Sequence, residues 1–200
     1  MSALIALLMA LAAPASEPAT VPSENPARDV PGARAEDTVG FDTFERHCLD
    51  AKRWKDTPDL ARVEGELSSQ ERQAFNLPGG DFRVFLASAE PRVLLGLQWQ
   101  EMQANQVSVR GGRVDETRRP VTLVGGRCIV FAHEDVWQGM PEAFERVTGA
   151  KPQDISSPDR GFDGLMTIDT AAASRSSGVP RAHTFGASRL DGTTMYRAIM

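Results

Sequence analysis

The two cysteines of the chain, Cys48 and Cys128, are the residues best suited to covalent chemistry. A catalytic thiolate needs an imidazole within hydrogen-bond reach, and His133 follows Cys128 by five positions. Side chains an odd number of positions apart on a regular strand point to opposite faces, which disfavours that pairing. An even pair of cysteines in an exported chain is more simply a disulfide. We therefore predict a Cys48–Cys128 disulfide and assign no catalytic residue.

A locally basic stretch is the second candidate site. Its arginines are Arg110, Arg113, Arg118, Arg119 and Arg127, offset only by Asp115 and Glu116. If these arginines share a face, they form an anion-binding patch suited to lipid headgroups, a phosphorylated glycan or an acidic partner. The alternative is a solvated sheet face with its own ion pairs, each worth about 0–1 kcal/mol.

Patterns for hydrolysis, metal binding and phosphate binding are incomplete. The run from Gly186 to Leu190 fails the G-x-S-x-G pattern of a serine hydrolase at its last position. The histidines are His47, His133 and His183, and only His133-Glu134-Asp135 gathers potential ligands, which as neighbours cannot easily face one ion. Gly111-Gly112 and Gly125-Gly126 lack the spacing of a phosphate loop. We predict no metal and no cofactor.

Three tryptophans, Trp54, Trp99 and Trp137, have two interpretations. They can form a platform for a sugar or a peptide, or they can lie in the core and at its edge. The second is the commoner place for such large side chains.

Composition limits the classes of function. The formal net charge is −5, which argues against non-specific nucleic-acid binding. The positive charge comes from nineteen arginines and three lysines. This bias fits either bidentate binding of anions or a GC-rich genome. With 41% hydrophobic residues the chain has enough apolar side chains to build a core.

The N-terminus predicts export. Residues 3–13 form an uncharged apolar run that is too short to span a bilayer but matches the core of a signal peptide. Ala13-Pro14-Ala15 supplies small residues for cleavage after Ala15. No Lys or Arg precedes the run, so an uncleaved anchor and a buried N-terminal helix stay as alternatives. We expect a periplasmic or secreted protein with no integral membrane span in the mature chain.

The segment 16–38 is predicted to be a disordered linker, because it contains Pro18, Pro22, Pro26 and Pro31 and few large apolar residues. A single domain over 39–200 follows. An amphipathic helix is predicted from Phe41 toward Trp54, a second after Pro58, a short helix through Phe75 and another over 140–148.

Strands are predicted over 82–89, 93–100, 106–114, 121–132, 165–168, 182–185 and 193–199, with a bulge at Gly125-Gly126. This order of elements predicts an α+β fold, with N-terminal helices packed on a mostly antiparallel sheet. We expect a non-catalytic binding domain of the cell envelope, whose partner is an envelope protein, a glycan or a lipid and not a nucleic acid. The alternative is an envelope hydrolase or thiol enzyme with an unlocated site.

Overall fold

The computed structural model of the chain describes residues 33–75, 82–110, 113–168 and 182–200, and of residues 104–110, 113–119 and 121 it describes the backbone alone. The described residues form one antiparallel sheet with helices packed on it, so the fold is α+β as predicted. The predicted signal peptide, most of the predicted linker, Gly111-Gly112 and residues 169–181 lie outside the described residues.

The sheet joins two antiparallel meanders. Its strands are β1 (Ala61–Arg62), β2 (Arg83–Ala89), β3 (Arg92–Arg110), β4 (Arg113–Ala132), β5 (Gln153–Asp154), β6 (Asp163–Ile168), β7 (Thr184–Leu190) and β8 (Thr193–Ile199). Their spatial order is β1-β2-β3-β4-β8-β7-β6-β5. The pairing of β8 with β4 therefore places the C-terminal meander beside the first one.

The helices begin and end at recognisable capping residues. They are α1 (Val39–Cys48), α2 (Ser69–Phe75) and α3 (Met140–Thr148). The Thr38 hydroxyl accepts a hydrogen bond from the Phe41 amide at the start of α1. Gly149 ends α3 with a φ of 73°, a left-handed conformation that glycine adopts without strain. The predicted first helix is shorter than expected, because a separate 3-10 turn, Ala51–Lys55, carries Trp54.

One face of the sheet, the helix-covered face, packs against α1 and α3. Phe41, Phe44 and Phe144 pack their rings around Tyr196 of β8, with centroid distances to the Tyr196 ring of 5.6–6.3 Å. The predicted disulfide lies in this layer: the sulfurs of Cys48 and Cys128 are 1.96 Å apart and both residues are fully buried. The bond ties α1 directly to β4.

The opposite face, the reverse face, is covered over only part of its width. Phe75 of α2 packs there with Leu94, Ile129 and Phe131 of β3 and β4. On β6, β7 and β8 the side chains of this face are half-buried or exposed, with Gly164 and Thr193 the exceptions, whereas most of those pointing the other way are buried. We call the uncovered part the open face; its members are Arg127, Met166, Ile168, Thr184, Gly186, Ser188, Met195, Arg197 and Ile199.

The glycine pair in β4 does not form the predicted bulge. Gly125 pairs with Gln100 and Gly126 pairs with Trp99 in continuous register. The irregularity in this ladder falls instead between Gln106 and Ser108. Gly126 is needed for close packing, since a Cβ there would lie 2.8 Å from the Gln98 carbonyl oxygen.

Three other boundaries differ from the predictions. The two strands predicted over 93–100 and 106–114 are a single strand up to Arg110. The helix predicted after Pro58 is replaced by β1 and a 3-10 turn, Glu64–Glu66. Residues 35–38, predicted as linker, pack on the domain, with Ala35 buried and its amide donating to the Gln138 carbonyl.

Candidate functional site

The hairpin of β3 and β4 extends well beyond the rest of the sheet. On one side β2 follows it as far as the rung between Arg83 and Leu97, and on the other β8 follows it as far as Arg127. Beyond these rungs the described residues of β3 and β4 form a ladder only with each other, out to the rung of Arg110 with Arg113, and the Met200 amide donates to the Gly126 carbonyl at its base. We call residues 98–110 and 113–126 the arm. At about 3.3 Å per residue it is about 40 Å long.

The arm presents an apolar rung to solvent. Met102 and Leu123 lie directly opposite each other, with 59% and 50% of their surface exposed. By strand alternation both belong to the same side as Gln98 and Arg127, which is the side of the open face. On the other side of the arm Gln103 Nε2 donates to Thr122 Oγ1 at 2.9 Å. One side of the arm is therefore apolar at this point and the other is polar.

The predicted anion-binding arginines are distributed along this arm and at its base. The backbones of Arg110 and Arg113 are paired at the outer end, and Arg119 is opposite Gln106. The side chains of Arg110, Arg113, Arg118 and Arg119 lie outside what the structure describes, so their sharing a face stays a prediction. Arg127 lies at the base of the arm, on the open face.

The structure adds Arg197 to the candidates. It lies on β8 opposite Ile129, diagonally next to Arg127 on the same face. Its Nε donates to Met195 Sδ at 3.0 Å, and no carboxylate of the described residues lies within 4.0 Å of it. Burial and then the neighbouring charge of Arg127 lower the pKa of Arg197. One signal was available in the sequence, because Arg197 interrupts an otherwise apolar run from 195 to 199.

The thiol–imidazole hypothesis is excluded by the pairing of both partners elsewhere. Cys128 is in the disulfide, and His133 Nε2 lies 3.2 Å from Glu71 Oε1. Glu71 also accepts from Arg92 Nε at 2.6 Å and from the Ser68 amide at 2.6 Å. Burial alone would raise the pKa of Glu71, but these hydrogen bonds outweigh it and lower the pKa to about 2. This cluster caps α2 and fixes it to the ends of β3 and β4.

The triplet His133-Glu134-Asp135 does not converge on one point. His133 contacts Glu71, whereas Glu134 accepts hydrogen bonds from the Val39 and Gly40 amides at the start of α1. Asp135 accepts from Arg189 at 3.2 Å. Among the described residues no three His, Cys, Asp or Glu side chains are placed to hold a metal ion. These three side chains therefore join neighbouring elements to each other.

The other candidates from the sequence, the three tryptophans and Ser188, lie in the core, at its edge or inside a strand. Trp54 is fully buried, and Trp99 and Trp137 pack half-buried against the same core. Ser188 lies inside β7, not at a strand-to-helix turn where a hydrolase would expose its nucleophile. Across the described ranges no helix has the length and the apolar character that crossing a bilayer requires.

No family model, no curated protein and no solved structure matches the chain.

Proposed function

We propose that the protein is an exported, non-catalytic binding domain of the cell envelope and that the arm is its docking element. The length of the arm carries this proposal. β3 has 19 residues and β4 has 20, against about 5–6 in an average strand. An isolated two-stranded ribbon is only marginally stable in water, so an arm of this length contributes little to the fold.

The exposed groups of the arm suit a partner. The rung of Met102 and Leu123 provides apolar surface, and a partner that covers it would remove that surface from water. Among the described residues no strand pairs with the outer edges of the arm beyond Leu97 and Arg127, so an extended segment can add there as a further strand. The four predicted arginines of the arm would add positive charge at its outer half.

The proposed export rests on two observations. A buried disulfide across a sequence separation of 80 residues suits an oxidising compartment. The apolar run at 3–13, followed by Ala13-Pro14-Ala15, has the composition of a cleaved leader. The alternative of a thiol enzyme loses its nucleophile to the same disulfide, and no observation favours a hydrolase.

Site-specific photo-crosslinking tests the docking role. A photoreactive residue at Met102 or at Leu123, in the full chain expressed in its host, is expected to give an adduct with the same envelope component, a protein or a lipid, from both positions. The control is Val39, which is exposed but lies at the start of α1. Adducts from Val39 that equal those from the arm, or no adduct from either arm position, would contradict the proposal.

A shortened arm provides the second test. Replacing residues 101–124 with Asn-Gly closes the hairpin at the rung of Gln100 with Gly125 through a two-residue turn. The shortened protein is expected to fold with an unchanged thermal midpoint and to lose its retention in the envelope fraction. Full retention by the folded, shortened protein would show that the arm is not the docking element.

A further inference from the structure

The reverse face of the sheet carries three rows of side chains that cross β3, β4, β8, β7 and β6. The first row is Gln98, Arg127, Ile199, Thr184 and Ile168; the second is Gly96, Ile129, Arg197, Gly186 and Met166; the third is Leu94, Phe131, Met195, Ser188 and Gly164. None of these rows contains a carboxylate. Asp163 of β6 points to the helix-covered face and binds Arg189 there.

The two charged side chains in these rows, Arg127 and Arg197, are both positive. Arg127 and Arg197 lie diagonally on adjacent strands, and burial and the charge of Arg127 both lower the pKa of Arg197. Nε of Arg197 is used by Met195, which leaves its two terminal nitrogens without a described acceptor. A half-buried guanidinium beside a second arginine is stabilised when an anion approaches it.

The same face is apolar around its arginines. Ile168 is 52% exposed at the outer end of the first row, and Met166 and Met195 are half-buried in the other two. On the arm, Met102 and Leu123 point to this same side. From β6 to β3 there are four strand spacings, which at about 4.8 Å each give a width of about 19 Å. Such a width exceeds what one small anion can contact.

We infer that the open face, together with the same side of the arm, docks on the headgroup layer of an anionic phospholipid membrane. The inference rests on the proposed function, because it names the envelope component that the domain meets. Phosphate groups would bind Arg127 and Arg197, while Ile168, Met102 and Leu123 enter the boundary between headgroups and acyl chains. Interfacial binding requires this combination of scattered cations and exposed apolar side chains on one side.

Vesicle partitioning tests the inference with the full chain. Binding to phosphatidylglycerol vesicles at low ionic strength is expected to exceed binding to phosphatidylcholine vesicles and to fall as salt is added. Arg127→Gln and Arg197→Gln are each expected to lower the partition coefficient about fivefold, the contribution of one arginine near such a surface. Every variant carries the same N-terminus, so any contribution of residues 1–15 cancels.

Arg46→Gln is the matched control. It removes the same charge from α1, on the helix-covered side, and should bind like the unmodified protein. Ser188→Glu provides an independent variant, because it adds a carboxylate to the open face without deleting a packed side chain, and it should weaken binding at least as much as Arg197→Gln.

Equal binding to both kinds of vesicle, or unchanged binding of folded Ser188→Glu, would overturn the inference. Displacement by millimolar inorganic phosphate at matched ionic strength would identify a single-anion site instead of a membrane surface, and would overturn it as well. A crosslinked protein partner on the arm with no vesicle binding would leave the proposed function standing and remove this inference. If the shortened protein binds vesicles as well as the full chain does, the open face binds the membrane without the arm, and the part of the inference that concerns the arm is overturned.

Discussion

The two halves of the β3–β4 hairpin share one ladder but differ in their surroundings. We call the remaining residues of the hairpin, 92–97 and 127–132, the body. In the body, Leu95 and Val130 pair with each other and are fully buried, between β2 and β8 and beneath α1. In the arm, Met102 and Leu123 pair in the same way, but they are 59% and 50% exposed. The backbone ladder therefore does not decide burial, which depends on the flanking strands and helices. The body holds the fold together, whereas this rung of the arm is exposed.

Removing the disulfide should have the largest effect on the body. Replacing Cys48 and Cys128 together with Ala releases a loop with a sequence separation of 80 residues. Loop-closure entropy then predicts a loss of about 4.5 kcal/mol in the free energy of unfolding. Urea denaturation measures it, and the unmodified protein under reducing conditions should match the double variant. A loss below about 1 kcal/mol would show that packing alone fixes α1 to β4.

Glu71→Gln should have the next largest effect. Because the pKa of Glu71 is lowered from 4.5 to about 2 in the folded protein, the charged carboxylate stabilises the fold by about 3 kcal/mol at neutral pH. This contribution is complete above pH 4.5 and disappears as the pH falls through about 2. The stability difference between protein and variant should therefore be largest at pH 7 and shrink below pH 4.5.

Glu64→Gln serves as the control for this experiment. Glu64 pairs with Arg62 at the surface, so its loss should cost less than about 1 kcal/mol. A pH-independent difference for Glu71→Gln would show that the residue acts through shape and not through charge.

The boundary between body and arm can be located with two adjacent glycines. A Cβ on Gly126 would meet the Gln98 carbonyl, Met200 and Trp54 at 2.8–3.0 Å, whereas a Cβ on Gly125 would meet nothing within 4 Å. Gly126→Ala should therefore cost about 1–3 kcal/mol. Gly125→Ala should be neutral or slightly stabilising. Thermal unfolding of the pair compares them, and equal midpoints would place the boundary elsewhere.

The smallest effect on stability is expected in the arm itself. Changing Met102 and Leu123 together to Ser should alter the free energy of unfolding by less than about 0.5 kcal/mol, because both side chains are already exposed. The same change should reduce retention in the envelope fraction. A large drop in the thermal midpoint would instead show that this rung supports the fold.

Local patterns predicted the elements whose ends depend on nearby residues. The helix over 140–148 begins and ends as predicted. Pro141 favours the first turn and Gly149 ends the last one, and both effects depend only on neighbouring residues. The strand over 193–199 is also correct. Residues 101–105, which join the strands predicted over 93–100 and 106–114 into β3, were missed, although Met102 and Ala104 alternate there with polar residues. They are held by pairing with β4.

The candidate site could be predicted only in part, because it depends on contacts between residues that are distant in the sequence. Arg127 was identified from its basic neighbours in the sequence, but Arg197 lies 70 positions away and joins it only because β8 pairs with β4. Gly126 appeared to mark a bulge, whereas it is required by Trp54 and Met200, both remote in sequence. A sequence pattern records neither of these relations.

The position of the disulfide has a mechanical consequence. A pull along the arm reaches the body through β3 and β4, which are held by six rungs to β2 and six to β8. The hydrogen bonds of these ladders run across the direction of pull, so they are loaded together in shear and not broken one at a time. Cys128 lies within the loaded stretch of β4 and passes the tension covalently to α1. A domain attached by its arm would thus resist detachment by force better than its free energy of unfolding indicates.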